Sequence, residues 1–324
     1  MRLAVSLSRF LCPCFVFRPD IFLRACWRKA RSRPDLCVVK TAWGDWLQVE
    51  PRKFVGAHVY MRGVHELPVC EVLWRLARAG ECVVDVGANI GVMTSLLSRR
   101  VGERGRVLSF EAHPVLFRQL QENVGRWHRP QVEMFNQAIS SLSGAVAVHE
   151  GDGFASNEGT ARLVDARSRR REEAHFRGVP SPFGPPPYVG GYVTTRCLDV
   201  ESVTLDKLIP ATGCGVVKID VEGHEFEVLS GAVVALAAHR LRNVVFESTW
   251  SFPGPAHALL REHGYHLFAI EASLRGPRLA AVSRRSGPEN RQADYLATVD
   301  PSRAAALVEM PGWRALAALH SNLQ

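Results

Sequence analysis

The chain has 324 residues, of which 47% are hydrophobic and 22% charged, with a formal net charge of +8. That is enough for one large or two small domains with an ordinary apolar core. The charge is uneven: residues 1–35 hold eight Lys/Arg (Arg2, Arg9, Arg18, Arg24, Arg28, Lys29, Arg31, Arg33) against Asp20 and Asp35, so 8 − 2 = +6 sits in this arm and the body is close to neutral. A basic body that wraps nucleic acid is thereby excluded.

Eight cysteines are scattered, and Cys12-Pro13-Cys14 is too tightly spaced for a zinc half-site, with no answering His/Cys pair. A reduced, cytoplasmic setting is expected. No run approaches the ~18 uncharged apolar residues of a membrane span.

The arm mixes Leu, Phe, Cys and Trp with arginines, and its apolar run Phe10–Phe17 is only eight long. It reads as a cationic, partly amphipathic segment suited to peripheral contact with an anionic membrane surface, or else as a locally docked terminus. A segment of hairpin and lead-in helix is expected over 36–80. Leu36–Lys40 and Trp46–Val49 pair through Gly44-Asp45, and an amphipathic helix covers Val69–Ala77 before Gly80. The third segment, 81–324, alternates strand and helix.

Strand one is 82–86, and Asp85-Val86-Gly87-Ala88-Asn89-Ile90-Gly91 turns it into a helix over about 91–100. Gly87 and Gly91 allow close approach of backbone and ligand, Asn89 tolerates a left-handed backbone, and helix N–H groups face the gap. A pyrophosphate loop would use Gly-x-Gly-x-x-Gly; here the middle glycine is missing and Asp85 supplies a carboxylate. That carboxylate suits a ligand carrying an ammonium group, such as S-adenosylmethionine. Strand two, 106–111, ends on Glu111, 26 residues after Asp85 and near the ~20-residue spacing at which an acid meets a ribose diol. A helix over 114–127 and strand three over 131–136 follow, and the chain near Asn136–Ile139 is expected to border the adenine.

Residues 150–195 break the rhythm with Gly151-Asp152-Gly153, Arg167, Arg169–Arg171 and a Pro-rich stretch. They read as an irregular insertion and an acceptor-site lid. Order returns with an edge strand at Val200–Leu205, strand four at Val216–Asp220, a helix over 223–238, strand five at Asn243–Glu247, a helix over 256–263, strand six at Tyr265–Ile270, a last strand at Ala293–Val299 and a terminal helix. Such alternation means a parallel sheet covered on both faces.

The stretches Asp85–Gly91, Phe110-Glu111-Ala112-His113-Pro114, Val203-Thr204-Leu205-Asp206 and Lys218-Ile219-Asp220-Val221-Glu222-Gly223 resemble the FkbM-type S-adenosylmethionine-dependent methyltransferases, from about Tyr60 to Glu247 and more weakly to Val299. The resemblance implies an α/β, Rossmann-like, seven-stranded sheet, mostly parallel with helices on both faces, here carrying an N-terminal β-hairpin extension. It implies S-adenosylmethionine as cofactor, and O-methylation of a hydroxyl on a sugar, glycolipid or natural product. The family has a similar Gly-x-x-Glu lead-in, which places Glu66 beside the cofactor pocket.

Methyl transfer to an unactivated hydroxyl needs a proton acceptor within hydrogen-bond reach. Asp220, Glu222 and His224 are the candidate catalytic residues at the end of strand four. Lys218 and Glu247 are expected at the acceptor site, since a lysine in a central strand must pair with a carboxylate. Glu66, Asp85, Gly87, Asn89, Gly91 and Glu111 are the expected cofactor set. Asp220, Glu222, His224 and Glu247 also suit a hard cation, but spacing alone does not make their oxygens converge, so no metal is assigned. The rival classes are a nicotinamide-dependent oxidoreductase, which the missing glycine disfavours, and a non-catalytic cofactor-binding or membrane-associated scaffold.

Overall fold

The structure, a computed structural model, describes residues 13–30, 32–151, 162–164, 194–248, 252–282 and 293–317. Two helices, α1 (Pro13–Phe17) and α2 (Pro19–Lys29), lead to the antiparallel hairpin β1 (Cys37–Lys40) and β2 (Trp46–Val49). Next come α3 (Phe54–Arg62) and α4 (Leu67–Leu76). The alternating part runs β3 (Cys82–Val86), α5 (Val92–Val101), β4 (Arg106–Phe110), α6 (Pro114–Trp127) and β5 (Val132–Phe135). After β6 (Ala138–Ile139), β7 (Gly144–Gly151), β8 (Arg162–Val164) and β9 (Thr194–Val203), the chain continues through β10 (Val216–Ile219), α7 (Glu225–Ser230), α8 (Val233–Ala237), β11 (Asn243–Ser248) and α9 (Pro255–Glu262). It closes with β12 (His266–Ser273), β13 (Gly276–Ala281), β14 (Ala293–Thr298), α10 (Pro301–Val308) and α11 (Arg314–Ala317).

The main sheet has the order β13-β12-β14-β11-β10-β3-β4-β5. β5, β4, β3, β10 and β11 are parallel, whereas β14, β12 and β13 pair antiparallel. The central strands Val83-Val84 and Val216-Val217 are apolar without alternation because both sheet faces are covered. The expected seven strands are present, and β13 adds an eighth at the edge. Strand order reverses between β3 and β10, so the carboxyl ends of these two strands frame the crevice where such sheets bind ligands.

Several elements depart from the sequence reading. Helix α3 was not expected; Lys53 starts it in extended backbone and Gly63, at φ 69°, ends it. The helix expected over 223–238 is two helices, because the Gly231 backbone passes so close to the Ser140 carbonyl that an added Cβ would lie 2.1 Å from its oxygen. The strand expected at Val200–Leu205 is the end of β9 and belongs to a second sheet, β6-β9-β7-β8. Residues 150–151, 162–164 and 194–195 of the expected irregular region are thus strands; its arginines Arg167 and Arg169–Arg171 and its Pro-rich stretch lie outside the described residues.

One apolar cluster links Cys14 and Ile21 of the arm, Trp43 and Leu47 of the hairpin, α4, β3, α5 and Trp313. The hairpin turn is fixed by polar contacts as well. Trp43 Nε1 donates to Ser95 Oγ at 2.8 Å, and Ser95 Oγ donates to Asp45 at 2.7 Å. Arg129 and Arg99 pair with the same carboxylate at 2.7 and 3.1 Å. The C-terminal segment is held by a fully buried pair: Arg75 Nε donates to Glu71 at 2.6 Å, and Arg75 also donates to the carbonyls of Leu307, Val308, Met310 and Gly312. Glu71 in turn accepts the backbone N–H groups of Arg314 and Ala315, at 2.8 and 2.7 Å. No helix among the described residues is long and apolar enough to cross a membrane.

Candidate active site

A cavity of about 590 Å³ opens at the carboxyl ends of β3, β4 and β10. Its floor is the turn after β3. Gly87, at φ 78°, lies against the Asp220 carbonyl, and a Cβ there would sit 1.8 Å from that oxygen, so only glycine lets the two strand ends touch. Asn89 takes the left-handed backbone expected of it, at φ 51°.

Glu111 forms one wall. Its Oε2 accepts the Asn89 N–H at 2.7 Å and its Oε1 the His113 N–H at 2.8 Å. Burial pushes the carboxyl up to about 7, against the pull of these two N–H groups. Each oxygen retains a second lone pair. Ala112 and His113 continue this wall, and Gln137, Ala138 and Ile139 meet it, which puts the segment expected near the adenine on the cavity surface beside Glu111.

The opposite wall is acidic. Lys218 Nζ donates to Asp220 Oδ2 at 2.9 Å, the pairing a lysine in a central strand requires. Burial opposes the ammonium, but Asp220, Asp85 and Glu66 outweigh it and keep Lys218 protonated. The left-handed Glu222 (φ 51°) and Gly223 (φ 98°) turn the chain after β10, and Glu222 lines the cavity. One carboxylate oxygen from each of Asp220, Glu222 and Glu247 falls within 4.8 Å of the others. Burial and the neighbouring Asp220, Glu66, Asp294 and Glu222 push the Glu247 carboxyl well above its usual range, so it is protonated at neutral pH. Among the described residues these three oxygens are the group that could hold a divalent cation, and the Lys218 ammonium already supplies positive charge at Asp220.

Glu66, Gly87, Asn89, Glu111, Lys218, Asp220, Glu222 and Glu247 therefore share one cavity. Three expected site residues do not line it. Asp85 is fully buried under the turn, where its Oδ2 accepts from Thr94 Oγ1 at 2.6 Å while Oδ1 has no hydrogen-bond partner. A strand interior alternates its side chains, and Asp85 points to the α5 side beneath the crevice. Gly91 precedes α5 at φ 93°, and a Cβ there would meet Leu120 at 2.8 Å; it serves helix packing. His224 is buried, with Nε2 2.9 Å from Ser140 Oγ, because the left-handed turn at Glu222-Gly223 swings the next residue toward β6.

Other cavity residues come from the helix that was not expected. Phe54, His58 and Arg62 of α3 line it with His65. His58 Nδ1 is 2.9 Å from His65 Nδ1, and His65 Nε2 is 3.2 Å from Glu66. If His65 Nε2–H faces the carboxylate, His65 Nδ1 accepts from His58 Nδ1–H. Burial, His65 and Arg62 push His58 down to about 4, so it is neutral at pH 7. Trp313, held by the Glu71–Arg75 anchor, completes the lining. The i, i+4 spacing of Phe54 and His58 places both on one face of α3, but without a capping side chain it is too weak a signal to announce this wall.

The profile of the Methyltransferase FkbM domain matches residues 85–267, more than half of the chain. The chain belongs to the FkbM methyltransferase family. It is a methyltransferase with S-adenosylmethionine as methyl donor, and the buried Glu111 carboxylate, with a lone pair left on each oxygen, fits the diol of an adenosyl ligand. Solved structures align with the chain at low identity. An S-adenosylmethionine-dependent O-methyltransferase from Thermotoga maritima is 11% identical, covering 83% of this chain and 94% of its own, with a TM-score of 0.40. M. jannaschii TYW2 in complex with AdoMet is 12% identical (83% and 87% covered, TM-score 0.38). Aeropyrum pernix fibrillarin with natively bound S-adenosyl-L-methionine is 14% identical (83% and 96%, TM-score 0.33). No curated protein matches the chain.

Proposed function

We propose that this methyltransferase acts on a hydroxyl oxygen of a sugar, glycolipid or natural product. The observation that carries the reading is the convergence of Asp220, Glu222 and Glu247 opposite the Glu111 wall. Hydroxyl groups are recognised by paired acceptors and donors, and this wall offers both: the Asp220 carboxylate accepts, and protonated Glu247 donates. When bound, the cofactor supplies a methyl group on a sulfonium with an excellent leaving group. Glu111 holds the ribose diol with its two remaining lone pairs, and the Gly87–Asn89 turn admits the methionine end. Asp220 takes the hydroxyl proton, and Lys218 Nζ, 2.9 Å from Oδ2, holds that carboxylate in position. Glu222 and Glu247 orient the acceptor.

Calorimetric titration with S-adenosylmethionine, S-adenosylhomocysteine and NADH tests the cofactor. Transfer of labelled methyl to a panel of glycosides, glycolipids and polyketide alcohols, with the modified atom located by NMR, tests the acceptor. Methyl on nitrogen, carbon or sulfur refutes the hydroxyl reading, and binding of NADH alone refutes the class.

A further inference from the structure

Helix α2 has two apolar faces. Ile21 and Ala25, four residues apart, are buried against the body. Arg28 reinforces that contact, stacking 4.4 Å over the Tyr60 ring and donating to the Tyr60 carbonyl. On the opposite side Pro19, Leu23, Cys26 and Trp27 are exposed along one stripe, Leu23 four residues after Pro19, and Cys26 and Trp27 three and four residues after Leu23. Leu23 is 68% and Trp27 57% exposed, and Val16 and Phe17 of α1 add 51% and 45%. A surface helix of a globular protein needs only one apolar stripe. Two large apolar side chains a turn apart, each more than half exposed, form with the exposed Phe17 of α1 a patch that marks an interaction surface.

The charges beside this patch select its partner. Lys29 is exposed at the end of α2, and Arg24 lies along its flank. Asp20, the acid in the first turn, is already engaged by Arg18 and Arg24, at 2.8 and 2.6 Å. The arm as a whole carries the +6 of residues 1–35. Apolar side chains at the centre, with cations on long stems at the margin, are the composition of a helix that lies in the interface of an anionic bilayer. Pro13 and Cys14 of α1 line the substrate cavity, so the cavity rim and the exposed patch belong to the same short segment.

We propose that α1 and α2 dock this protein on an anionic lipid bilayer, through Val16, Phe17, Leu23 and Trp27 with Arg24 and Lys29 at the margin. Docking brings the cavity rim to the headgroup layer, where a lipid-borne hydroxyl reaches it. The membrane contact stands independently of the acceptor reading, whereas the lipid-borne acceptor rests on that reading.

The test is co-sedimentation of the full chain with vesicles of phosphatidylcholine alone and with vesicles containing about one-third phosphatidylglycerol. Binding is expected to the anionic vesicles only and to weaken with added salt. Leu23→Ser with Trp27→Ser should reduce it about tenfold or more, and Lys29→Glu about fivefold or more. Calorimetric binding of S-adenosylmethionine, unchanged in these variants, shows that they are folded. Absence of vesicle binding, or binding that survives the double substitution, overturns the proposal. So does a salt-independent dimer in light scattering that the double substitution dissolves without any vesicle binding, because the patch then belongs to a second copy. Failure of the wild-type chain to bind S-adenosylmethionine would strike the cofactor assignment and leave the vesicle result standing.

Discussion

Glu111→Gln separates the ionised carboxylate from its shape. Both carboxylate oxygens already accept a backbone N–H, which leaves one lone pair on each for the two ribose hydroxyls. A hydrogen bond to a charged acceptor contributes about 1.5–3 kcal/mol. The amide can accept at only one atom, and its NH₂ must face one of the two backbone N–H donors. The substitution thus loses at least one charged acceptor toward the diol, about 1.5–3 kcal/mol, or roughly 10–10² in affinity, while the clash of the two donors weighs on the fold in free and bound protein alike. Titration by calorimetry against pH gives the second readout. The carboxyl sits at about 7 because burial disfavours its charge, and it is protonated below that value. Diol binding favours the ionised form, so wild-type affinity should rise as pH increases toward 7, by up to about tenfold per unit, and level off above. The glutamine variant should lack this dependence. A folded variant within threefold of wild type, or a wild-type affinity flat between pH 5 and 8, would refute the ribose assignment (the threefold margin being about 0.7 kcal/mol).

Asp220→Asn should leave S-adenosylmethionine affinity nearly unchanged while slowing methyl transfer by about 10²-fold or more, measured as S-adenosylhomocysteine release with an accepted glycoside; full turnover would remove Asp220 from the chemistry. Gly87→Ala should destabilise the fold by about 3 kcal/mol or more, combining left-handed strain with a clash against the Asp220 carbonyl, as read from urea unfolding. Glu71→Ala strands the Arg75 guanidinium and two backbone N–H groups in the core and should cost about 3–5 kcal/mol in the same assay. It should also raise proteolytic cleavage around Trp313; an unchanged pattern would show that Glu71 does not anchor the C-terminal segment.

The alternating strands and helices from β3 to β5 were legible because a buried parallel strand reads as an uninterrupted apolar run and each helix opens on a clear signal, Gly91 or Pro114. Lys218 was legible for a different reason: a cation in the middle of such a run must find a carboxylate, and Asp220 provides it at 2.9 Å. His224 was misplaced because linear spacing after a strand says nothing about the left-handed turn at Glu222, which rotates everything that follows. Asp85 was placed one layer too high for a related reason: proximity to a glycine turn does not fix which way a strand residue points. The α3 wall was invisible because Phe54–Arg62 combines Gly56 with two β-branched valines and no capping side chain, so its helicity comes from tertiary packing. Gly56 itself packs on the Glu50 carbonyl, a contact no local pattern announces.

The touch between Gly87 and the Asp220 carbonyl has a mechanical consequence. Two strand ends without space for a methyl group between them cannot slide or hinge relative to each other, so the turn proposed to receive the donor and the backbone of Asp220, the proposed proton acceptor, move as one rigid piece. Distance between these two partners is therefore fixed during synthesis of the fold and is not adjusted by substrate. Traffic through the cavity has to be regulated from the other flank, where α1, α3 and Trp313 form a border made of side chains and helix ends. Any loss of activity caused by crowding or cross-linking that flank should appear in the rate of exchange of reactants and products, with the chemical step itself untouched.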